Sequence, residues 1–203
     1  MVNFSFEEIR ENRNDFLERL DFYRKYGIDE EYLRKSVVDQ LSEGMGTVLE
    51  IGTGKGHLAA LLSLCCDKVV SVDIDEDCKR IAALNAATFG DLNKIEFITA
   101  DAGELDWPDR SFDTVVSSFA FHHMELPFKI IREMMRLAVH QIVISDYSDK
   151  AFSVIDQIHE LRGKTHKRKP NDFTIVGYYL KEFNFDVEVV NDEWQVIYSA
   201  KRR

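Results

Sequence analysis

The pattern of apolar positions changes character near residue 46. Before it, Ile9, Phe16, Leu20 and Tyr23 recur at helical spacing, and after Gly27 the series Leu33, Val37, Leu41 does so again. Ser5-x-x-Glu8 has the form of a capping box, with Phe4 and Ile9 placed as its hydrophobic staple. Asp29 with Glu30 and Glu31 behind it opens the second helix. Gly44 and Gly46 close this stretch, so residues 1–46 are expected to form a helical cap. Such a cap either packs on the main body, covers its ligand, or does both.

From Thr47 onward, short apolar runs alternate with longer amphipathic ones. Strands are expected over 47–51, 68–73, 94–99, 112–117 and 139–145, and helices over about 56–65, 76–89 and 127–137. Helices near 150–162 and 172–182 follow, then strands over 186–190 and 195–200. Asn191-Asp192-Glu193 between the last two is short enough for a hairpin, which reverses the final strand. Repeated strand–helix units predict an α/β body, residues 47–203, with a mostly parallel sheet and right-handed crossovers.

The first of these units carries the chemistry. Val48-Leu49-Glu50-Ile51 runs into Gly52-Thr53-Gly54-Lys55-Gly56 and then His57-Leu58-Ala59-Ala60. This reads as a buried strand, a glycine turn and the start of a helix. Alternating glycines let the backbone approach a ligand closely, and the helix start offers unpaired N–H groups to an anionic end. In open α/β sheets ligands lie beyond the carboxyl ends of the strands. The residues expected there are Glu50, Asp73, Asp101 with Ala102, Ser117 to Phe119 with His122 and His123, and Asp146. Asp73 is an acceptor-only group suited to both ribose hydroxyls. Asp101 suits an exocyclic amine, and the Ala102 N–H a ring nitrogen. Glu50 would repel a pyrophosphate but suits a ligand bearing an ammonium and a carboxylate. His57 stands where a dinucleotide fingerprint has its third glycine, and the GK[ST] of a P-loop is missing.

Composition narrows the partners. At 203 residues the chain fits one domain with a small appendage. A formal charge of −10 weighs against a general nucleic-acid binder. The N-terminus lacks the apolar region of a signal peptide, and the run Leu58–Cys66 is too short to span a bilayer. No membrane insertion is therefore expected. Cys65, Cys66 and Cys78 form neither a CxxC pair nor a disulfide set, which points to a reducing, cytoplasmic setting.

As a set, Glu50-x-Gly52-x-Gly54-x-Gly56, Val72-Asp73, Ala100-Asp101-Ala102, Phe112 to Ser117 and Phe121-His122-His123 resemble class I S-adenosylmethionine-dependent methyltransferases. The small-molecule branch typified by ubiquinone and menaquinone biosynthesis enzymes is the most similar. The resemblance covers residues 47–146. It implies a Rossmann-like seven-stranded sheet with a reversed final strand, and S-adenosylmethionine as cofactor with S-adenosylhomocysteine as product. It places Glu50, Gly52, Thr53, Gly54 and Gly56 at the methionine end, Asp73 and Ile74 at the ribose, Asp101 and Ala102 at adenine, and Ser117, Ser118 and Phe119 under the sulfonium arm. One departure stands out: the relatives have a Pro-Gly-Gly turn before the fifth strand, where this chain runs Arg136-Leu137-Ala138-Val139-His140.

Methyl transfer from a sulfonium needs a general base only if the acceptor starts protonated. His122, His123 and Asp146 are the catalytic candidates, with His159 and His166 behind them. Asp156 and His159 sit three apart on one helix, where the carboxylate could orient the ring. With His166 they are too scattered to assign a metal site. The basic run Lys164, Lys167, Arg168, Lys169 reads first as a solvated loop and second as capture of an anionic substrate or RNA. After the fourth strand the chain reads Ser117-Ser118-Phe119-Ala120, not the Asn-Pro-Pro-Tyr of nucleic-acid amine methyltransferases, and no cysteine stands at a strand end as a C5 methyltransferase needs. A small-molecule acceptor is therefore expected. A non-catalytic cofactor-binding module, an RNA methyltransferase and a nicotinamide-dependent oxidoreductase are the alternatives. Oligomeric state is left open.

Overall fold

The computed structural model describes residues 3–42 and 46–203. Two helices open the chain, α1 (Phe6–Arg24) and α2 (Glu30–Val38). The Ser5/Glu8 capping box is formed in both directions: the Glu8 N–H donates to Ser5 Oγ at 3.2 Å and the Ser5 N–H to Glu8 Oε2 at 2.8 Å. Asp29 caps α2 by accepting from the N–H groups of Glu31 and Tyr32. Of the two boundary glycines, Gly44 lies outside the described residues. Gly46 passes the chain into the sheet, its carbonyl accepting from the Asp67 and Lys68 N–H groups.

The body follows as β1 (Thr47–Ile51), α3 (His57–Leu62), β2 (Lys68–Asp73), α4 (Cys78–Phe89), β3 (Ile95–Thr99), β4 (Phe112–Ser118), α5 (Pro127–Leu137), β5 (Ala138–Tyr147), α6 (Asp149–Leu161), α7 (Val176–Glu182), β6 (Phe185–Asn191) and β7 (Gln195–Arg202). The sheet has seven strands in the order β3-β2-β1-β4-β5-β7-β6. Strands β1 to β5 pair in parallel, and β7 runs antiparallel to both β5 and β6. The expected hairpin is present, and its reversed strand sits inside the sheet between β5 and β6. The central strands β1, β2, β4 and β5 are buried on both faces because helices cover both. One apolar cluster joins β4 and β5 to α5 and α7 through Val115, Ile142, Ile131 and Leu180, and a second joins β1 and β2 to α3 through Val48, Val69 and Leu62.

Helix and strand ends differ from expectation by one to three residues, as fraying ends usually do. The region read as one helix over 172–182 is a 3-10 turn, Phe173–Ile175, running into the shorter α7. The departure before β5 has a physical explanation. α5 passes directly into β5, with Ala138 already extended. Arg202 from β7 donates to the carbonyls of Met135 and Ala138. The helix end is thus capped by a side chain, and no glycine turn is needed.

The cap docks beside the glycine turn. Phe16 of α1 packs against Phe89 with ring centroids 4.6 Å apart and against His57 at 5.0 Å. Arg19 Nη2 lies 2.7 Å from His57 Nε2 and 3.2 Å from Glu30 of α2. Burial, followed by the charges of Arg34 and Arg19, pushes the His57 pKa down to about 2. His57 is therefore a neutral acceptor tying α1 to the start of α3.

Candidate active site

The strand order reverses direction between β1 and β4, and two cavities open beyond the carboxyl ends there. The first, of about 430 Å³, is lined by Asp73, Ile74, Asp101, Ala102, Met124 and Leu126. The second, of about 570 Å³, is lined by Glu50, Thr53, Ser118, His122, Tyr147 and parts of the cap. Gly52, Gly54, Phe119 and His123 line both, so the two cavities meet at these four residues.

The glycines divide their work. Gly52 has φ +89°, and a Cβ there would stand 2.6 Å from the Ala120 Cβ. Gly56, by contrast, lines neither cavity. Its absent side chain lets α3 pack on α4, since a Cβ would meet Ala82 at 2.8 Å. The turn also consumes its own donors. Gly52 and Thr53 donate to the Val72 carbonyl, Gly56 to that of Thr53, and Gly54 to Asp73 Oδ2 at 2.8 Å. Four N–H groups of the turn itself are thus engaged within the protein, so they are not the ones left for an anionic ligand end. Arg19, Arg34 and Lys55 line the same cavity and supply positive charge instead.

Glu50 is 1% exposed. Ser71 donates to its carboxylate and, with its one proton so used, accepts from the Thr53 hydroxyl at 2.6 Å. Burial raises the Glu50 pKa to about 8, with Asp73 adding to the rise and the Ser71 hydrogen bond opposing it. Without a cation beside it, Glu50 is neutral at pH 7. Asp73 closes β2 and receives the N–H groups of Gly54 and Asp75, so it shapes the glycine turn while facing the first cavity. Asp101 accepts from the Gly103 N–H at 2.7 Å and lines that cavity beside Ala102.

After β4 the chain enters a left-handed residue without glycine's freedom: Phe119 has φ +53°. Its ring stacks on Tyr147 at 4.3 Å, which holds the conformation and presents the ring to both cavities. Ser118 lines the second cavity, whereas Ser117 is placed differently from expectation. Alternation along the strand turns Ser117 inward, and its hydroxyl donates to the Ile51 carbonyl at 2.9 Å.

Asp146 is buried and lines neither cavity. It receives the His122 N–H at 2.9 Å and lies 2.7 Å from His122 Nδ1. It holds His122 from behind, away from both cavities. The second carboxylate–histidine pairing also differs from expectation. Asp156 lies 2.8 Å from His166 Nδ1 and accepts from Arg168, whereas the buried Nδ1 of His159 has no partner among the described residues. The basic side chains of the loop, Lys164, Lys167, Arg168 and Lys169, are exposed as expected, and the loop also forms a cavity rim. Lys164 to Lys167 line the second cavity, anchored by the Lys164 N–H on the His159 carbonyl and the Lys169 N–H on that of His122. Arg19 and Arg34 were invisible to sequence reading as site residues. Single arginines on an amphipathic helix look like its solvated face.

Comparison with known proteins bears on the family and the fold. A family described as "Methyltransferase domain" matches residues 49–141. That match spans a little under half of the chain, from β1 into β5. Over 119 residues the chain is 32% identical to a probable ribosomal RNA small subunit methyltransferase A of Methanosarcina acetivorans, covering 58% of this chain and 42% of that protein. It is 34% identical over 93 residues to a ubiquinone/menaquinone biosynthesis C-methyltransferase of Ectopseudomonas oleovorans, covering 44% of this chain and 55% of that one. The chain thus spans about half the length of these relatives. The fold matches that of magnesium protoporphyrin IX methyltransferase from Synechocystis PCC 6803, solved with bound SAH, with a TM-score of 0.61 at 20% identity. That match covers 100% of this chain and 89% of the other. Among the described residues no helix is long and apolar enough to cross a membrane.

Proposed function

We propose that the protein binds S-adenosylmethionine across the two cavities and transfers its methyl group to a small anionic acceptor. The observation that carries this reading is the meeting of the cavities at Gly52, Gly54, Phe119 and His123, with carboxylates at one end and Glu50 among cations at the other. The residues fit the cofactor. Asp73 suits the ribose, Asp101 and Ala102 the adenine, and Glu50 the ammonium. Lys55 and Arg34 suit the carboxylate, and Phe119 with Ser118 flanks the junction. When bound, the cofactor supplies an activated methyl group on a sulfonium. The protein's part is to align the two reactants and exclude water.

The acceptor enters from the second cavity. Arg19, Arg34, Lys55, Arg162, Lys164 and Lys167 line it against only Glu30 and Glu50. This excess of positive charge, in a chain of net charge −10, favours an acceptor bearing a carboxylate or phosphate. RNA methylation is the second reading, favoured by the ribosomal RNA relative and the same basic rim. RNA binding that weakens steeply with salt would support it over the first. The three free thiols suit a cytoplasmic location.

Calorimetric titration of the full chain with S-adenosylmethionine, S-adenosylhomocysteine and NAD tests the cofactor. The first two are expected to bind and NAD is not. Asp73→Ala removes charge-assisted ribose contacts worth about 1.5–3 kcal/mol, so Kd should rise about 10- to 150-fold. Tight NAD binding with silence from the other two would overturn the reading of Glu50 and with it the proposal.

A further inference from the structure

Three histidines converge on the second cavity, one of them, His123, at its junction with the first. One ring nitrogen from each of His122, His123 and His166 lies within 4.8 Å of the others. His122 and His123 come from the turn after β4, and His166 from the basic loop folded over it. Two of the three are oriented in the same way. His122 Nδ1 is 2.7 Å from Asp146, and His166 Nδ1 is 2.8 Å from Asp156. A carboxylate can only accept, so each Nδ1 carries its proton and donates it. In a neutral ring the remaining nitrogen, Nε2, is then a bare lone pair.

Those two Nε2 atoms face each other at 3.2 Å. Two acceptors do not hold each other at hydrogen-bond distance, so the arrangement calls for a cation between them. The spacing suits a metal. Ligand nitrogens about 2.05 Å from a tetrahedral zinc are about 3.3 Å apart. The carboxylate behind each ring is the partner that fixes metal-ligating histidines and raises their basicity. The third ring, His123, is exposed at the cavity wall, with a ring nitrogen within 4.8 Å of the other two.

We propose that His122, His123 and His166 form a binding site for a divalent transition-metal ion of the zinc type, with Asp146 and Asp156 as the carboxylates orienting two of its ligands. All-imidazole coordination selects zinc, copper, nickel or iron over magnesium or calcium. Three protein ligands leave a fourth position, and the second cavity, which all three rings line, is where it opens. An acceptor oxygen or sulfur bound in that cavity reaches the ion. This last step rests on the methyl-transfer reading above, whereas metal binding does not.

The test uses tag-free, chelator-stripped full-length protein titrated with cobalt(II), then with zinc(II) as competitor. One equivalent of cobalt is expected to give the intense visible absorption of a four-coordinate nitrogen site, abolished by one equivalent of zinc. His166→Ala should lose the absorption. Asp156→Asn, which removes no ligand, should weaken zinc binding about 10- to 100-fold and keeps the test alive if the histidine variant does not fold. Thermal unfolding and S-adenosylhomocysteine calorimetry on the same samples separate the two proposals. Cofactor binding without any cobalt or zinc signal would leave a proton, not a metal, between the rings and overturn this inference. So would wild-type zinc affinity in Asp156→Asn. Metal binding without cofactor binding would sustain it and sink the cofactor reading instead.

Discussion

Gly52→Ala is expected to destabilise the protein by about 2–5 kcal/mol and to abolish measurable cofactor binding. Two effects add. At φ +89° an alanine backbone is strained, by about 1–2 kcal/mol. Its Cβ would also stand 2.6 Å from the Ala120 Cβ, and overpacking a tight site costs about 1–3 kcal/mol. Ala120 cannot yield freely. It follows the left-handed Phe119 and precedes the turn Phe121–His123, whose His122 is pinned to Asp146. Displacement therefore reaches Phe119 and the histidines, where the cavities join. Urea unfolding with calorimetry checks both parts. The double variant Gly52→Ala/Ala120→Gly relieves the clash but not the strain, and should recover the overpacking share. A single variant as stable as the parent would show that the turn does not make this close approach.

The elements that periodicity specifies strongly were legible in the chain. The central strands follow from apolar runs of strand length, the pattern of a strand buried on both faces, and the edge strands β3 and β6 from shorter runs mixed with charged residues. The capping box at Ser5 and the Asp29 cap were legible because both are local, with donor and acceptor two or three residues apart. What failed was non-local. Arg202 closing the end of α5 lies more than sixty positions from its acceptors, so the Pro-Gly-Gly departure read as a puzzle and not as a capped helix.

The site divides the same way. Glu50, Asp73 and Asp101 were found because strand ends in an α/β sheet point to one place. Ser117 and Gly56 belong to the same motifs but turn toward packing, which depends on alternation and helix contacts invisible in a motif. The pairing of Asp156 with His166 was assigned to His159 because helical spacing favoured the nearer ring. The loop from 163 onward brings the farther one in.

Glu50→Gln is expected to make the protein more stable near neutral pH while depriving it of its cofactor. Burial holds the folded-state pKa at about 8 against a usual 4.5, so the folded protein keeps a proton that the unfolded chain releases. Relative to the glutamine variant, the parent is then most stable below 4.5 and loses that stability as pH rises through the window from 4.5 to 8. At about 1.4 kcal/mol per unit, the loss approaches about 4 kcal/mol by about pH 7.5. The same carboxylate explains why the cost is retained. Glu50 can hold an ammonium only when ionised, so below pH 8 each cofactor bound should expel one proton, and affinity should rise about tenfold per pH unit up to that point. Glutamine has no proton to expel, and its affinity should be both lower and free of this slope. Calorimetry in buffers of different ionisation enthalpy counts the proton directly, and denaturant unfolding across the window measures the stability difference. Equal affinity and equal pH profiles in the two proteins would remove Glu50 from the ammonium. A variant less stable than its parent throughout would mean that the Ser71 hydrogen bond outweighs the burial of the charge.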